Sequence, residues 1–456
     1  MKDDSNPQDV LVTAFYDVLN ACLRPEQPLC IAYSGGMDSA VLLHVAVQQT
    51  VYPLRAIYVD HGLSPEAGDW AAHCDQVCKQ LDVPFTAVKV EVDSAGGQGP
   101  EAAAREARYT ILRDMLGDDE VLLTAHHEQD QMETFLLQML RGSGLQGLSG
   151  MPLCTMSNGY THVRPMLNVP AETVQAYAEK AGLSWVEDPS NAEDHFNRNF
   201  LRHKVLPKIR ERWPAAARAT VRSARLNAEA AELLDELAAE DLQGQVAGHQ
   251  LKLTKLLPLS TGRKKNALRY LLRHWHMPVP SEAQLSQALH ALFAARVDGQ
   301  PEAAWPGVRI RRYRDLLWFF TEEDDPLAPT NRLLGTYNWD GMLPLDMGPV
   351  RGRLELTNVV GMGISASATS KPLVVRFRHG GERLRPAPRS RTRQLKNLLQ
   401  ESDIVPWMRG HIPLIYSGEQ LLAVGDLWVD AACVAGPSET GRMVCWTGYS
   451  PIRETD

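Results

Sequence analysis

The sequence predicts an α/β N-terminal domain built on a parallel sheet, then a mainly helical middle domain, then a small α+β C-terminal domain. Three observations carry this reading. Short apolar runs alternate with helix-like stretches from residue 28 to 141, the pattern of right-handed βαβ crossovers. A run from about 215 to 245 has helical composition and period. Beyond residue 340 the chain mixes short strands and turns around one helix near 391–402. At 456 residues it is too long for one ordinary core. The expected boundaries are 1–215, 216–325 and 341–456, with 326–340 as a linker inside the acidic, Pro-containing segment 321–340.

Taken in order, residues 28–33 read as a strand, the turn SGGMDS follows, and 38–49 reads as a helix. Strands are expected at 54–60, 84–92 and 120–125, and helices at 65–81, 100–116 and 128–141. Residues 142–170 are rich in Gly, Ser and Pro and read as a loop, and 171–182 as a helix. In the middle section RKKNALRYLLRHW and SEAQLSQALHALFAA supply helices, and GVRIRRYRDLLWFF alternates like a strand pair. In parallel sheets ligands sit beyond the carboxyl ends of the strands. The SGGMDS turn, Asp60-His61 and His126-His127 all fall there.

Composition narrows the class. The chain is 44% hydrophobic and 22% charged, as expected of a globular protein. Its N-terminus, MKDDSNPQDV, is polar, and no apolar run is long enough to span a bilayer. A cytoplasmic protein without membrane contact is expected, with reduced thiols at its seven scattered cysteines. Cys74 and Cys78 lack the spacing of a redox or zinc motif and read as helix residues not obviously near the Gly turn. The net charge is −8, yet residues 198–225 hold nine Lys and Arg against Glu211, and 376–396 hold eight against Glu382. Each run alone is ordinarily a solvated face. Two of them on an acidic chain point toward a polyanionic partner.

SGGMDS is neither the dinucleotide fingerprint nor a Walker A loop, and a bare Gly turn with no ligand is its plain alternative. Glycines before a helix N-terminus do make an anion cradle. The stretch TAHHEQDQMETFLLQMLRGSGLQGLSGM (124–151) adds more. On helix 128–141, Met132, Phe135, Leu136, Met139 and Leu140 are expected to form the buried stripe. Asp130 and Glu133 are then neighbours away from it, able to grip an ammonium group. The alternatives are acids favoured by the helix dipole, or a metal site with His126 and His127, for which no completing cluster is visible.

The loop resembles that of the PP-loop ATP pyrophosphatase superfamily, whose fold is the adenine nucleotide α-hydrolase type. AHHEQDQMETFLLQMLRGSGLQGLSGM, EDPSNAEDHFNRNFLRHKVLP (187–207) and RTRQLKNLLQESDIVPWMRGHIPLIY (391–416) together resemble the bacterial tRNA(Ile)-lysidine synthetases, in their long form. One departure is Ile-Val-Pro-Trp before Met408, where two prolines are expected ahead of Trp407. The resemblance implies a ligase. ATP adenylates the C2 oxygen of the wobble cytidine in the CAU anticodon of tRNA(Ile). The ε-amine of free L-lysine then displaces AMP, and codon reading changes from AUG to AUA. It implies that Ser34, Gly35, Gly36, Met37, Asp38 and Ser39 bind ATP, with Asp38 also a ligand for Mg2+. It assigns lysine binding to Asp130 and Glu133. It places Arg105, His126 and Arg198 beside Asp38 in the catalytic set. For Arg105 an ion pair with Glu101 is the plain alternative, and for Arg198 a phosphate contact. The tRNA partner gives the basic tracts a task, through Arg202, Lys204, Lys208, Arg263, Lys264, Lys265, Arg389, Arg391, Arg393 and Lys396.

Three rivals stand beside this reading. A PP-loop tRNA thiolase uses the same loop, but the C-x-x-C of its cluster-bearing kind is absent. A small-molecule amidating ligase would not need the basic tracts. A noncatalytic tRNA-binding protein would not need Ser34, Gly35, Gly36, Asp38 and Ser39 intact. The oligomeric state, a homodimer included, and the general base for the amine stay open.

Overall fold

The computed structural model describes residues 7–49, 52–60, 62, 66–90, 100–157, 159–189, 193–294, 300–331 and 335–453. His61 lies outside them. Two compact units divide the chain, Met1–Leu233 and Leu234–Asp456.

The first unit opens with a helix that the sequence reading did not foresee, α1 (Pro7–Cys22). Then come β1 (Leu29–Ala32), α2 (Met37–Gln49), β2 (Leu54–Asp60), α3 (Ala67–Gln80) and β3 (Phe85–Lys89). They are followed by α4 (Pro100–Asp114), β4 (Val121–Leu123) and α5 (Glu128–Leu140). The segment read as a loop contains a short helix, α6 (Leu145–Leu148), and a hairpin of β5 (Cys154–Ser157) and β6 (Tyr160–Val163). After α7 (Ala171–Lys180), the chain forms α8 (Asn197–Phe200), a π-helical turn (Leu201–Val205), α9 (Leu206–Arg212) and the long α10 (Ala216–Leu242).

The sheet order is β3-β2-β1-β4-β6-β5, parallel except for β5. Alternate residues of its central strands enter two different cores. Leu29, Ile31, Val121 and Leu123 join Leu11, Phe15, Leu42 and Tyr177 on one face. Cys30, Ile57 and Leu122 meet Leu112 on the other. Both faces are covered, which is why these strands read as apolar runs rather than alternating ones. Strand order reverses between β1 and β4, and Ile31 lies in register with Leu123. The crevice at such a switch point is where an open parallel sheet binds its ligand.

The second unit holds more strand than a mainly helical reading expects. β7 (Val246–Ala247), β8 (Gln250–Lys252), β9 (Glu302–Trp305), β10 (Val308–Tyr313) and β11 (Leu316–Phe320) form a sheet in the order β7-β8-β11-β10-β9. Helices α11 (Thr261–His274) and α12 (Glu282–Ala294) pack on it through Leu268, Leu272, Leu285 and Leu292. β11 is buried along its whole length. Leu317 and Phe319 enter the core of the helices, while Leu316, Trp318 and Phe320 enter a second core with the chain beyond residue 335. Trp407 centres that second core, edge-on to Trp318 and Phe320 at 5.6 and 5.9 Å. Ile404 and Val405 are fully buried beside it, so the missing proline is replaced by apolar packing. The acidic segment just ahead of the expected linker carries buried Asp325, which accepts two hydrogen bonds from Arg311 at 2.6 and 3.1 Å.

Candidate active site

The loop after β1 builds the floor of the site. Gly35 has φ +80°, and a Cβ on it would lie 2.8 Å from Cys74 Sγ and 2.9 Å from Val186 Cγ2. Glycine is therefore required twice, by conformation and by space. Cys74 is thus directly beneath the loop, contrary to its reading from sequence. It and Cys78 are buried on α3, with both thiols pushed up to about 12 by burial. Thiols held that far from ionisation are inert.

Ser39 Oγ donates to Gly36 O at 2.9 Å and lies 3.1 Å from Ser34 Oγ, while Val186 N donates to Gly35 O at 2.9 Å. The loop is tied from both sides, and the first turn of α2 presents its N–H groups above it. The surrounding cavity, about 980 Å³, is lined by Ser34, Gly36, Asp38, His126, Asp130, Asp188, Arg108 and Lys204 among others. A second space of about 290 Å³ adjoins it, between Tyr58, Val59, Trp70 and Arg108.

Asp38 Oδ1 is buried and has no hydrogen-bond partner among the described residues. A carboxylate oxygen in that state suits a hard cation that brings its other ligands as phosphate oxygens and water. Among the described residues no group of three His, Cys, Asp or Glu could enclose a metal, so the protein would supply this one carboxylate. Asp38 Oδ2 lies 3.5 Å from His127 Nε2, and Asp130 Oδ2 lies 3.6 Å from the same nitrogen. Burial alone would lower the His127 pKa, but the bond to Asp38 and the charge of Asp130 outweigh it and raise it. His127 also caps α5, accepting from Gln129 N at 3.2 Å, while Asp130 Oδ2 accepts from His127 N at 3.0 Å.

The carboxylates of α5 behave differently from the sequence expectation. Glu128, Asp130, Gln131, Met132 and Glu133 are buried, whereas Met139 and Leu140 are exposed. The first turn is the part of α5 that enters the protein, because its charges find partners there. Arg198 Nε donates to Glu133 Oε2 at 2.7 Å and its Nη2 to Asp130 Oδ1 at 2.9 Å. Arg202 Nε donates to Glu133 Oε1 at 2.8 Å, and its Nη2 to Glu133 Oε2 at 3.0 Å. Asp130 lines the cavity; Glu133 lies behind it with no exposed surface.

His126 sits at the end of a buried polar chain. Arg164 Nη2 is 3.1 Å from His162 Nδ1, His162 Nε2 is 2.8 Å from Thr124 Oγ1, and Thr124 Oγ1 is 2.8 Å from His126 Nδ1. Guanidinium only donates, so the direction is fixed at His162. His162 Nδ1 accepts and its Nε2 donates to Thr124, whose hydroxyl has one proton to give and His126 Nδ1 within reach at 2.8 Å. Burial, then Arg164, Arg105, Arg198 and Arg108, hold His126 well below its ordinary pKa. It is a neutral imidazole in a cationic wall.

Family models match three stretches of the chain. A PP-loop domain covers residues 8–209, a TilS substrate binding domain 251–318, and a TilS substrate C-terminal domain 373–446. The tRNA(Ile)-lysidine synthase of Coxiella burnetii is 42% identical over 406 residues, covering 88% of this chain and 89% of that one. The chain belongs to the tRNA(Ile)-lysidine synthase family. The synthase of Nitrosomonas europaea is 35% identical over 97% of this chain and 96% of its own. A solved tRNA thiolase, NcsA from Methanococcus maripaludis with its [4Fe-4S] cluster, is 16% identical with a TM-score of 0.42, covering 48% of this chain and 80% of that one. So slight a likeness gives no weight to the thiolase rival.

Of the residues singled out for this family's chemistry, Ser34, Gly36, Met37, Asp38, Ser39, His126, Asp130, Arg202 and Lys204 line one cavity. Arg198 reaches the cavity's edge through Asp130, and Arg105 lies over the Tyr109 ring at 5.2 Å. The Glu101 side chain lies outside the described features. The distal basic residues divide. Arg263 is paired with Asp241, Lys265 with Glu282, and Arg393 with Glu401. Lys264 donates to Leu257 O at 2.8 Å. Arg389, Arg391, Lys396 and Lys208 are exposed. Sequence reasoning passed over Arg108, Thr124, His162, Arg164 and Asp188. His162 and Arg164 stand two apart on or just after a strand, but that strand lay in a segment read as loop.

Proposed function

We propose that this chain makes lysidine at the wobble cytidine of a CAU-anticodon tRNA(Ile), using ATP and free L-lysine. The enzyme is a ligase that forms a C–N bond with cleavage of ATP to AMP and pyrophosphate. The observation that carries the reading is the convergence in one cavity of the tied SGGMDS loop, the orphaned Asp38 oxygen and the α5 carboxylate Asp130.

Ser34, Gly35, Gly36, Met37 and Ser39 cradle the pyrophosphate part of ATP against the α2 N-terminus. The space between Tyr58, Val59 and Trp70 suits a flat purine ring. Mg2+, when bound at Asp38, supplies charge neutralisation of the phosphates. His126 Nε2–H and Arg105 face the oxygens that gain negative charge as the cytidine O2 attacks, and a fixed neutral donor needs no reorganisation there. Asp130, backed by Glu133, binds an amino group of lysine in place of part of the guanidinium contact. Arg198 keeps that pair of carboxylates charged and aligned. Arg202, Lys204 and Lys208 beside the cavity, and Arg263, Lys264, Lys265, Arg389, Arg391, Arg393 and Lys396 farther along, meet the tRNA backbone. The pairs Arg202–Glu133, Lys204–Asp194, Arg263–Asp241, Lys265–Glu282 and Arg393–Glu401 must open for five of these to do so. No described helix is long and apolar enough to cross a membrane; the cytoplasm is the location we propose, since tRNA, ATP and free lysine meet there.

The test is incorporation of radiolabelled lysine into unmodified tRNA(Ile) with ATP and Mg2+, followed by mild alkali. An aminoacyl ester hydrolyses, and lysine bonded to a base stays. Alkali-stable label that vanishes in Asp38→Ala is the expected result. Pyrophosphate release without label would move the nucleophile from lysine to sulfide or ammonia.

A further inference from the structure

Beside the cavity, the segment from α8 through the π-helical turn to α9 carries an exposed groove of about 350 Å³. Its walls come from two rows of helical spacing. Phe200, Lys204 and Lys208 form one, and Val205, Ile209 and Trp213 the other. Phe200 is 49% exposed and Trp213 63%, large aromatic surfaces for a soluble face. Lys208 is exposed and has no ion pair among the described residues. Lys204 lines both this groove and the large cavity, so one side chain borders the two.

We propose that this groove holds a nucleobase next to the target cytidine, stacked on Trp213 and Phe200, with Lys204 and Lys208 on the adjoining phosphates. The proposal rests on the function argued above and adds a base-binding subsite to it. Three features select single-stranded RNA as the occupant. The aromatic faces lie open, and every base has a π-face to stack on them. Lysines stand on the rim at the spacing of the same helix, complementary to a phosphate backbone. The groove adjoins, at Lys204, the cavity that a single base must enter, and a base can enter only from a strand whose neighbours are unstacked and seeking new partners. An apolar peptide helix would use the floor and leave Lys208 without a partner, while Lys204 would keep its ion pair with Asp194 at 3.0 Å, which a phosphate can replace. The π-helical turn at Leu201–Val205 belongs to the same device. It carries Lys204 and Val205, one residue from each wall, at the point where the groove meets the cavity.

The experiment measures lysidine formation by the full chain on intact tRNA(Ile) and on the same RNA with one abasic nucleotide on either side of the target cytidine. Trp213→Ala is expected to raise KM for intact tRNA about tenfold or more, with KM for lysine and ATP unchanged, and Trp213→Phe to restore most of the loss. One of the two abasic RNAs should cost the wild type a similar factor and cost Trp213→Ala nothing further. Trp213→Leu, apolar but without a ring, replaces the alanine variant if that variant does not fold. Equal losses on intact and abasic RNA, or wild-type behaviour of Trp213→Ala and Trp213→Leu, overturn the groove while leaving the function intact. Failure of the wild type to form lysidine overturns both, and is seen before any variant is used.

Discussion

Arg164 Nη2 lies 3.1 Å from His162 Nδ1, and that one contact sets the proton position on His162 at the head of the chain that ends at His126. Because guanidinium has no acceptor, His162 must present a bare Nδ1 and donate through Nε2. A Thr124 hydroxyl that gives its one proton to His126 Nδ1 holds His126 with its own proton on Nε2.

Thr124→Val keeps the shape and removes that link. His126 is free to place its proton on Nδ1, where it no longer faces the cavity. Removing the partner that orients an imidazole costs about 10- to 100-fold, and the loss should appear in kcat, with KM for tRNA unchanged. Nitrogen NMR of labelled histidine reads the tautomer directly. An unchanged His126 tautomer in Thr124→Val would refute the relay.

His162 makes a second prediction. Burial, then Arg164, Arg105 and Arg108, lower its pKa from 6.5 to about 3. The unfolded chain binds a proton near 6.5 that the folded chain refuses down to about 3. Stability from this group is complete above 6.5 and falls as pH drops below it, by up to about 1.4 kcal/mol per pH unit. His126 is lowered in the same sense, so the two slopes add. The thermal midpoint should fall steeply between pH 6.5 and 4, and less steeply in His162→Gln, which has no proton to refuse. Equal slopes in both proteins would remove His162 from the acid transition.

The sequence reading succeeded where local pattern and tertiary placement agree. β1, β2 and β4 were legible because a doubly covered parallel strand is a short apolar run bounded by turn residues. The loop was legible because Ser34, Gly35, Gly36 and Asp38 are contiguous. The hairpin β5–β6 was hidden because its residues, such as Cys154, Thr155, Thr161 and His162, alternate weakly among Gly, Pro and Ser. The buried face of α5 was misread because periodicity assumes that apolar residues go inside. Asp130 and Glu133 go inside instead, and the reason, Arg198 and Arg202, lies some sixty-five to seventy residues along the chain. Cys74 under Gly35 was invisible for the same reason: it is a contact between two βα units.

Glu133 gives the last prediction, because two roles meet in it. Its two oxygens accept from Arg198, from Arg202 twice and from Gln129 Nε2 at 3.1 Å, with no solvent exposure. Glu133→Gln leaves two guanidinium groups facing Asp130 alone and turns an amide N–H₂ toward one of them. Breaking a buried charge pair from one side costs about 3–5 kcal/mol, so urea unfolding should register a loss of that order. Asp130→Asn should behave differently. Asp130 borders the cavity and its side chain is 12% exposed, so the stability loss is smaller, while KM for lysine rises about tenfold or more through the lost charge-assisted bond. If Asp130→Asn folds and keeps its KM for lysine, the α5 carboxylates hold arginines and nothing else. If KM for lysine rises while KM for ATP stays, Asp130 touches the amino acid and Glu133 is the charge that keeps the arginines in place behind it.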